Sequence, residues 1–155
     1  MDSTPSVLSR AESAIDLERL PSFLLNHIVH QYHQTLQSRL RPAGVSTLKM
    51  RILISLKSHG QLTVTELCNY AIAEQPTMSR ALDSLEAQGM VQRQPCREDS
   101  RIRLVTLTES GRELSERVYP EVARTNDGML AGLSESESAE LIRSLRHVLA
   151  NLRER

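Results

Sequence analysis

The stretch from residue 62 to residue 111 constrains the fold most, because its apolar residues recur first at helical and then at strand spacing. Thr63 and Glu66 have the spacing of a capping box, in which each side chain accepts a hydrogen bond from the other residue's backbone N–H. A helix is therefore predicted from Val64 to about Tyr70. Its buried face is expected to contain Val64, Leu67 and Ala71.

A second helix is predicted to begin near Gln75 and Pro76 and to end at Gly89. Proline suits a first helical turn, where its missing N–H has no partner to lose, and glycine suits the left-handed residue that follows a helix. One face of this helix is apolar, with the spacing i, i+3, i+4 and i+7, and consists of Met78, Ala81, Leu82 and Leu85. The opposite face is polar and carries Thr77, Ser79, Arg80, Asp83 and Ser84.

A basic β-hairpin is predicted next, with strands over residues 90–94 and 102–107. The side chains expected to face inward are Ile102, Leu104 and Leu107. Arg97 and Arg101, at the tip, can reach phosphates or a narrow minor groove of DNA. Asp99 lies between them and is interpreted as a brace that orients Arg101 through charge-assisted hydrogen bonds. A solvated charged turn is the alternative interpretation.

A helix sized for the major groove of DNA, followed by a basic hairpin, indicates a winged helix-turn-helix. Arg80 can bind a guanine through two hydrogen bonds, and Thr77 and Ser79 can contact phosphates or base edges. The helix alone would be read as an amphipathic surface helix, but its combination with a capped helix, a glycine stop and a basic hairpin favours DNA. The candidate DNA-contacting residues are Gln75, Pro76, Thr77, Ser79, Arg80, Ser84, Arg97, Asp99, Arg101 and Arg103.

Three motifs resemble the MarR family of bacterial transcriptional regulators: EQPTMSRALDSLE at 74–86, EDSR at 98–101 and LVTLTESG at 104–111. The resemblance covers most of the chain from Leu17 onward. It implies a homodimer that binds a palindromic operator and is often released by a small ligand or by oxidation. It also implies that Thr77, Ser79 and Arg80 face the major groove and Arg101 the minor groove. Two residues depart from the family pattern: Ile72 and Ser100 stand where many relatives have Gly and a second Arg.

The predicted fold is mainly α, with a small β-hairpin wing and with N- and C-terminal helices that form a dimerisation region. Residues 1–16 are expected to be a mobile tail, and residues 17–155 a single domain. Within it, residues 46–107 form the DNA-binding lobe, and residues 17–45 and 108–155 form the dimerisation helices. Helix starts are predicted at Pro21, Ser46, Thr108 and Ser134, and a kink at Pro120.

The two terminal helices carry apolar stripes that one small winged lobe cannot cover. The N-terminal stripe consists of Leu24, Ile28, Tyr32, Leu36 and Leu40. The C-terminal stripe consists of Leu141, Leu145, Val148, Leu149 and Leu152. Pairing of two copies across a two-fold axis is therefore expected, and a monomer with intramolecular helix packing is the alternative.

The net charge is zero, but the charges are unevenly distributed. A basic block without acids consists of Arg39, Arg41, Lys49, Arg51 and Lys57. The span 109–140 is mostly acidic. This separation predicts a polarised molecule with one face for DNA, although the basic block could also be solvated surface.

Several function classes find no support in the sequence. It contains no Gly-rich phosphate loop, no G-x-S-x-G and no H-E-x-x-H motif, so an enzyme and a cofactor are not expected. The row His27, His30 and His33 is better explained as ordinary polar-face histidines than as a metal site. No apolar run is long enough to span a membrane and none resembles a signal peptide, which predicts a cytoplasmic protein.

The means of regulation is less well specified by the sequence. In MarR relatives a ligand cleft lies between the dimerisation helices and the winged lobe. Phe23, His27, His30 and Met50 are the candidate lining residues here, for a small apolar or phenolic ligand. Cys96 lies beside Arg93 and Arg97, and cations favour the reactive thiolate. A redox-sensing regulator acting through Cys96 and a winged-helix protein-interaction module therefore remain as alternative functions.

Overall fold

The structure is a computed structural model that describes residues 15–153. The tail predicted over residues 1–16 lies almost entirely outside this range. Short 3-10 turns at Leu17–Arg19 and Arg41–Ala43 flank the first helix. The helices and strands, in chain order, are α1 Pro21–Leu40, α2 Thr47–His59, β1 Gln61–Thr63, α3 Val64–Ala71, α4 Gln75–Ala87, β2 Val91–Pro95, β3 Arg103–Leu107, α5 Glu109–Met129 and α6 Glu135–Arg153.

Hydrogen bonds from short polar side chains set where the helices begin. The Thr63 hydroxyl accepts from the Glu66 N–H at 3.2 Å, and the Glu66 carboxylate accepts from the Thr63 N–H at 2.7 Å. This confirms the predicted capping box. The hydroxyls of Ser46 and Thr108 also accept the N–H three residues later, and Ser134 forms a second capping box with Glu137, all as predicted. Because each cap joins residues three apart in the chain, the sequence alone was enough to find it.

The turn between α3 and α4 contains the departure from the family pattern noted above. Ile72 has a φ of 55°, in the left-handed region. Its side chain is 79% exposed, so it gains little from burial in return. A position that many relatives fill with glycine thus keeps the glycine-like backbone here, at the cost of strain for a β-branched residue.

A three-stranded antiparallel sheet has β3 in the centre, between β1 and β2. Leu62 of β1 and Arg93 of β2 both pair with Val105 of β3. The sequence predicted only the hairpin of β2 and β3. The third strand was missed because β1 has three residues and is held by pairing with a segment about forty residues later.

The predicted inward set of the hairpin was partly wrong. Val105 and Leu107 are buried, whereas Ile102 is 40% exposed and Leu104 is half-buried. The reason is register: β3 starts at Arg103, so alternation places Val105 and Leu107 on one face and Leu104 on the other. Ile102 precedes the strand and belongs to the turn.

One core unites the winged lobe with the C-terminal end of α1 and the first half of α5. Leu36 and Leu40 are fully buried at the end of α1, and Leu114 and Val118 are buried in α5. The predicted apolar face of α4, from Met78 to Leu85, is buried as well. The lobe and the base of the two long helices therefore form one packed body.

The rest of α1 and the whole of α6 leave apolar side chains in solvent. No residue between Glu135 and Arg153 is buried, and α6 makes few contacts with the other described elements. Its exposed apolar residues are Leu141, Ile142, Leu145, Val148, Leu149 and Leu152, and α1 adds Leu24, Ile28 and Val29. Between residues 15 and 153, no helix is both long and apolar enough to cross a bilayer.

Candidate nucleic-acid interface

Helix α4 presents a polar face opposite its buried one. Thr77, Ser79 and Arg80 are exposed on that face, as are Gln75 and Pro76 in the first turn. Pro76 occupies the start of the helix, and Gly89 follows its end with a φ of 69°, both as predicted. The buried side of α4 is anchored in the core, so the exposed side is a fixed surface rather than a mobile one.

Ser84, another predicted contact residue, is already engaged within the chain. It is half-buried, and its hydroxyl accepts a hydrogen bond of 2.8 Å from Lys49 Nζ of α2. The other members of the basic block that have described partners are similar. Arg39 donates to Thr125, Arg51 to the Ala71 carbonyl and His33, and Lys57 pairs with Glu116. These cations therefore tie elements of the chain together.

The tip of the wing is a compact turn that exposes Arg97, Arg101 and Arg103. The Cys96 N–H donates to the Ile102 carbonyl at 2.8 Å, which closes the turn. The Asp99 carboxylate accepts from the backbone N–H of Arg101 at 2.9 Å. Asp99 is therefore a brace, as predicted. The prediction was wrong about the group it holds, because its carboxylate binds the backbone N–H of Arg101 and not the guanidinium. The arginine side chain is left exposed for another partner.

An ion-pair cluster joins the wing to α4. Arg93, in the middle of β2, donates from Nη2 to Glu86 Oε2 at 2.6 Å and to Asp83 Oδ1 at 2.7 Å. Its Nε and its backbone N–H also donate to the Glu86 carboxylate, at 3.0 and 3.1 Å. Hydrogen bonds from Arg93 lower the pKa of Glu86, and the two carboxylates raise the pKa of the guanidinium. We call these three side chains the wing clamp.

The wing clamp was not predicted from the sequence. Asp83 had been placed on the polar face of α4, and Glu86 had only been part of a family motif. Asp83, an acid on a face predicted to meet DNA phosphates, was a signal that a cation lies nearby. The cation could not be located, because its position depends on how the chain turns at Gly89.

A second joint connects the wing to α5. The Thr108 hydroxyl donates to the Gly89 carbonyl at 2.5 Å and accepts from the Gly111 N–H at 3.0 Å. The Thr108 N–H donates to the Met90 carbonyl at 3.0 Å. Gly111 packs so closely on Met90 that a Cβ would collide with the Met90 carbonyl oxygen. The end of the LVTLTESG motif, from Leu107 to Gly111, is thus explained by the packing of α5 against the base of the wing.

The four candidate ligand residues do not converge on one cavity. Met50 is 3% exposed in the core of the lobe, Phe23 stacks against His27 with ring centroids 4.3 Å apart, and His30 lies against Gln34. A cavity of about 600 Å³ lies instead between α1, the end of α5 and α6. Of the four, only His27 lines it. The rest of its wall consists of residues that were not predicted to contact a ligand, among them Ile28, Tyr32, Arg39, Met129, Leu141 and Leu145.

The two cysteines lie in different surroundings. Cys68 packs against the core on α3, and burial raises the pKa of its thiol. Cys96 is half-buried at the base of the wing turn. Among residues 15–153, no group of three or more His, Cys, Asp or Glu side chains is placed to hold a metal ion.

Comparison with known proteins matches residues 43–102 to the MarR family. A MarR-family transcriptional regulator from Silicibacter pomeroyi has a similar solved structure, with a TM-score of 0.82 and 34% identity; the match covers 92% of this chain and 96% of that one. The HTH-type transcriptional repressor IacR from Pseudomonas putida is 27% identical over 135 residues, which are 87% of this chain and 81% of IacR.

A mutant MarR from E. coli, solved in complex with operator DNA, has a TM-score of 0.73 and 28% identity, and the match covers 88% of this chain and 99% of that chain. These similarities extend along both the winged lobe and the long helices, not only along the motifs. The resemblance inferred from the sequence motifs is confirmed. The chain belongs to the MarR family of winged helix-turn-helix transcriptional regulators, and it is a DNA-binding regulator rather than an enzyme.

Proposed function

We propose that this protein is a homodimeric repressor that binds a palindromic operator in double-stranded DNA. The observation that carries the proposal is the presence of two exposed polar and basic surfaces on elements that share one core. They are the polar face of α4, with Thr77, Ser79 and Arg80, and the arginines of the wing tip. The first suits the major groove, and the second suits phosphates or the minor groove. The repressor name of IacR and the operator complex of E. coli MarR support the same reading.

The proposed dimer uses the apolar side chains that α1 and α6 expose. Apolar side chains exposed in such number mark an interface, and a two-fold pair buries the same surface on both copies. We therefore propose that residues 17–45 and 108–155 contain the dimerisation helices and that residues 46–107 form the DNA-binding lobe. A dimer also explains a palindromic operator, because the symmetry of the DNA site matches the symmetry of the protein. Because the similar regulators are bacterial proteins and one of them is solved with operator DNA, we place this protein in the cytoplasm.

A titration with DNA from upstream of the encoding gene tests this function. We expect the wild type to bind it more tightly than unrelated DNA, as measured by fluorescence anisotropy. Arg80→Ala is expected to lose roughly 1–3 kcal/mol of binding and to relax base preference at one position in each half-site. Arg124→Ala is the matched control, because that exposed arginine pairs with Glu121 on α5, away from the interface. Equal affinity for both DNAs would contradict specific recognition of this upstream DNA, and binding to neither would favour the protein-interaction module.

We further propose that a small apolar or phenolic ligand releases the operator. Its site is the cavity between α1, α5 and α6, which has a mostly apolar wall and one cation, Arg39. A ligand there touches α6 as well as α1 and α5, which share the core of the winged lobe. It can therefore favour one spacing of the two winged lobes of the dimer. Linkage requires operator DNA to weaken ligand binding by the same factor.

Oxidation at Cys96 is the rival means of release. A Cys68→Ser, Cys96→Ser double variant separates the two, because ligand release needs no thiol. If the variant binds the operator but peroxide no longer releases it, while a panel of phenolic acids leaves the melting temperature of the wild type unchanged, the ligand proposal is wrong.

A further inference from the structure

The wing clamp connects α4 to β2 through side chains, in addition to the chain itself. Only the short turn at residues 88–90 links α4 to β2 along the chain. Arg93 adds four hydrogen bonds across that turn, three to Glu86 and one to Asp83. A guanidinium is a planar fork of N–H donors, so its hydrogen bonds to carboxylates fix their direction as well as their distance. Arg93 therefore fixes the angle between α4 and the wing together with the turn and the shared core.

The position of the clamp on α4 relates it to DNA. Asp83 follows Arg80 by three residues and lies on the same exposed face. Glu86 lies one turn further on, and Arg93 pairs with Val105 in the body of the wing. Along the chain, the clamp residues thus lie between the proposed major-groove contact at Arg80 and the proposed wing contact at Arg101.

We propose that Arg93 is a positioning residue that makes α4 and the wing one rigid reading unit, so that Arg80 and Arg101 bind DNA cooperatively. This rests on the DNA contacts proposed above. When two contacts are held at a fixed separation, formation of the first brings the second side chain to its site on the DNA. The entropy lost in ordering α4 and the wing is then lost only once, for both contacts. A wing that moved freely would make the two contacts independent of each other.

Folding stability alone does not account for the clamp. The side chains of Asp83 and Glu86 are 63% and 39% exposed, and that of Arg93 is 25% exposed. Ion pairs with this much solvent access contribute little to the stability of a fold. The effect of Arg93 is therefore expected in the coupling between two DNA contacts and only weakly in the melting temperature.

A double-mutant cycle on the full chain tests the proposal. Operator affinity is measured for the wild type, Arg80→Ala, Arg101→Ala and the double variant. The cycle is repeated in an Arg93→Lys background, which keeps the charge but loses the fork. Arg124→Lys provides the matched control, since Arg124 also donates to a glutamate, at 2.8 Å, but on α5. If Arg93→Lys does not fold, Glu86→Gln serves as the second clamp variant.

In the wild type and in Arg124→Lys, we expect the double variant to lose less affinity than the product of the two single losses, by about five-fold or more. In Arg93→Lys the discrepancy is expected to fall below about two-fold. A wild-type cycle with no coupling, or one that Arg93→Lys leaves unchanged, overturns the proposal. If Arg80→Ala and Arg101→Ala each leave the affinity unchanged, it is the assignment of the DNA contacts that fails, and the clamp proposal fails with it.

Discussion

At the scale of single residues, Gly111 sets how closely the wing approaches α5. A Cβ there would collide with the Met90 carbonyl oxygen and would lie 3.2 Å from the Leu107 side chain. The Met90 carbonyl also accepts the Thr108 N–H, so it cannot move without loss of that hydrogen bond. The close packing therefore depends on the absence of a side chain rather than on an unusual backbone angle.

We expect Gly111→Ala to destabilise the fold by roughly 1–3 kcal/mol, as overpacking at a fixed backbone does. The free energy of unfolding from urea denaturation measures this. Gly128→Ala is the control on the same helix, because a Cβ there meets nothing within 4 Å. It is expected to stabilise the helix by about 0.5–1 kcal/mol, since alanine is the better helix former. If both substitutions had the same sign, the close approach at Gly111 would not be the cause.

Asp99 acts on DNA binding through the shape of the wing turn. Its carboxylate accepts the Arg101 N–H, which fixes the backbone from which the Arg101 side chain extends. We expect Asp99→Ala to weaken operator binding although it removes a negative charge, and Asp99→Asn to keep more affinity because its amide oxygen can still accept. Anisotropy titrations at several salt concentrations measure both variants. Tighter binding by Asp99→Ala would show that charge repulsion outweighs the geometry.

At the scale of helices and strands, the capping boxes make stability depend on pH. Hydrogen bonds from the N–H and hydroxyl of Thr63 lower the pKa of Glu66 in the folded chain. The unfolded chain has the ordinary value of about 4.3. The charged cap therefore stabilises the fold fully at neutral pH, and this contribution is lost as the pH falls through the lower, folded pKa. Glu137 at the start of α6 follows the same pattern through Ser134.

We expect Glu66→Gln to be less stable than the wild type at pH 7, and we expect this difference to disappear as the pH falls below the lowered, folded pKa of Glu66, where the carboxylate is protonated in both states. Urea midpoints at each pH give the difference. Glu113→Gln, an exposed position within α5, controls for general loss of negative charge. A difference that stayed constant across the range would mean that the Glu66 carboxylate is not what the cap uses.

The elements that the sequence predicted well are those specified by local spacing. Caps at Ser46 and Thr63 join residues three apart, and the buried face of α4 follows helical periodicity. What could not be predicted depends on distant parts of the chain. The strand β1 requires pairing with β3, and the wing clamp requires the path of the chain through Gly89. Met50 was misplaced in a ligand site because helical spacing does not say which neighbour a helix face packs against.

At the scale of the whole molecule, the exposed stripe of α6 is the part that a single chain leaves unsatisfied. We expect Leu145→Asp to convert the proposed dimer into monomers or to unfold the chain, because a carboxylate in an apolar interface loses its hydration. Sedimentation equilibrium measures the mass. His147→Asp is the matched control, since His147 lies on the opposite face of α6. A wild type that is a folded monomer at micromolar concentration would refute the dimer.

The most direct test of the proposed function is hydroxyl-radical footprinting of the wild type on its operator, since it reports dimer geometry and DNA contacts together. Two copies that each insert α4 into the major groove protect two clusters of sugars, related by the dyad of the palindrome. We expect the centres of the half-sites to be one helical turn apart, about 34–36 Å. A single cluster without a symmetric partner, or protection spread evenly along the DNA, would contradict a dimer that reads a palindrome.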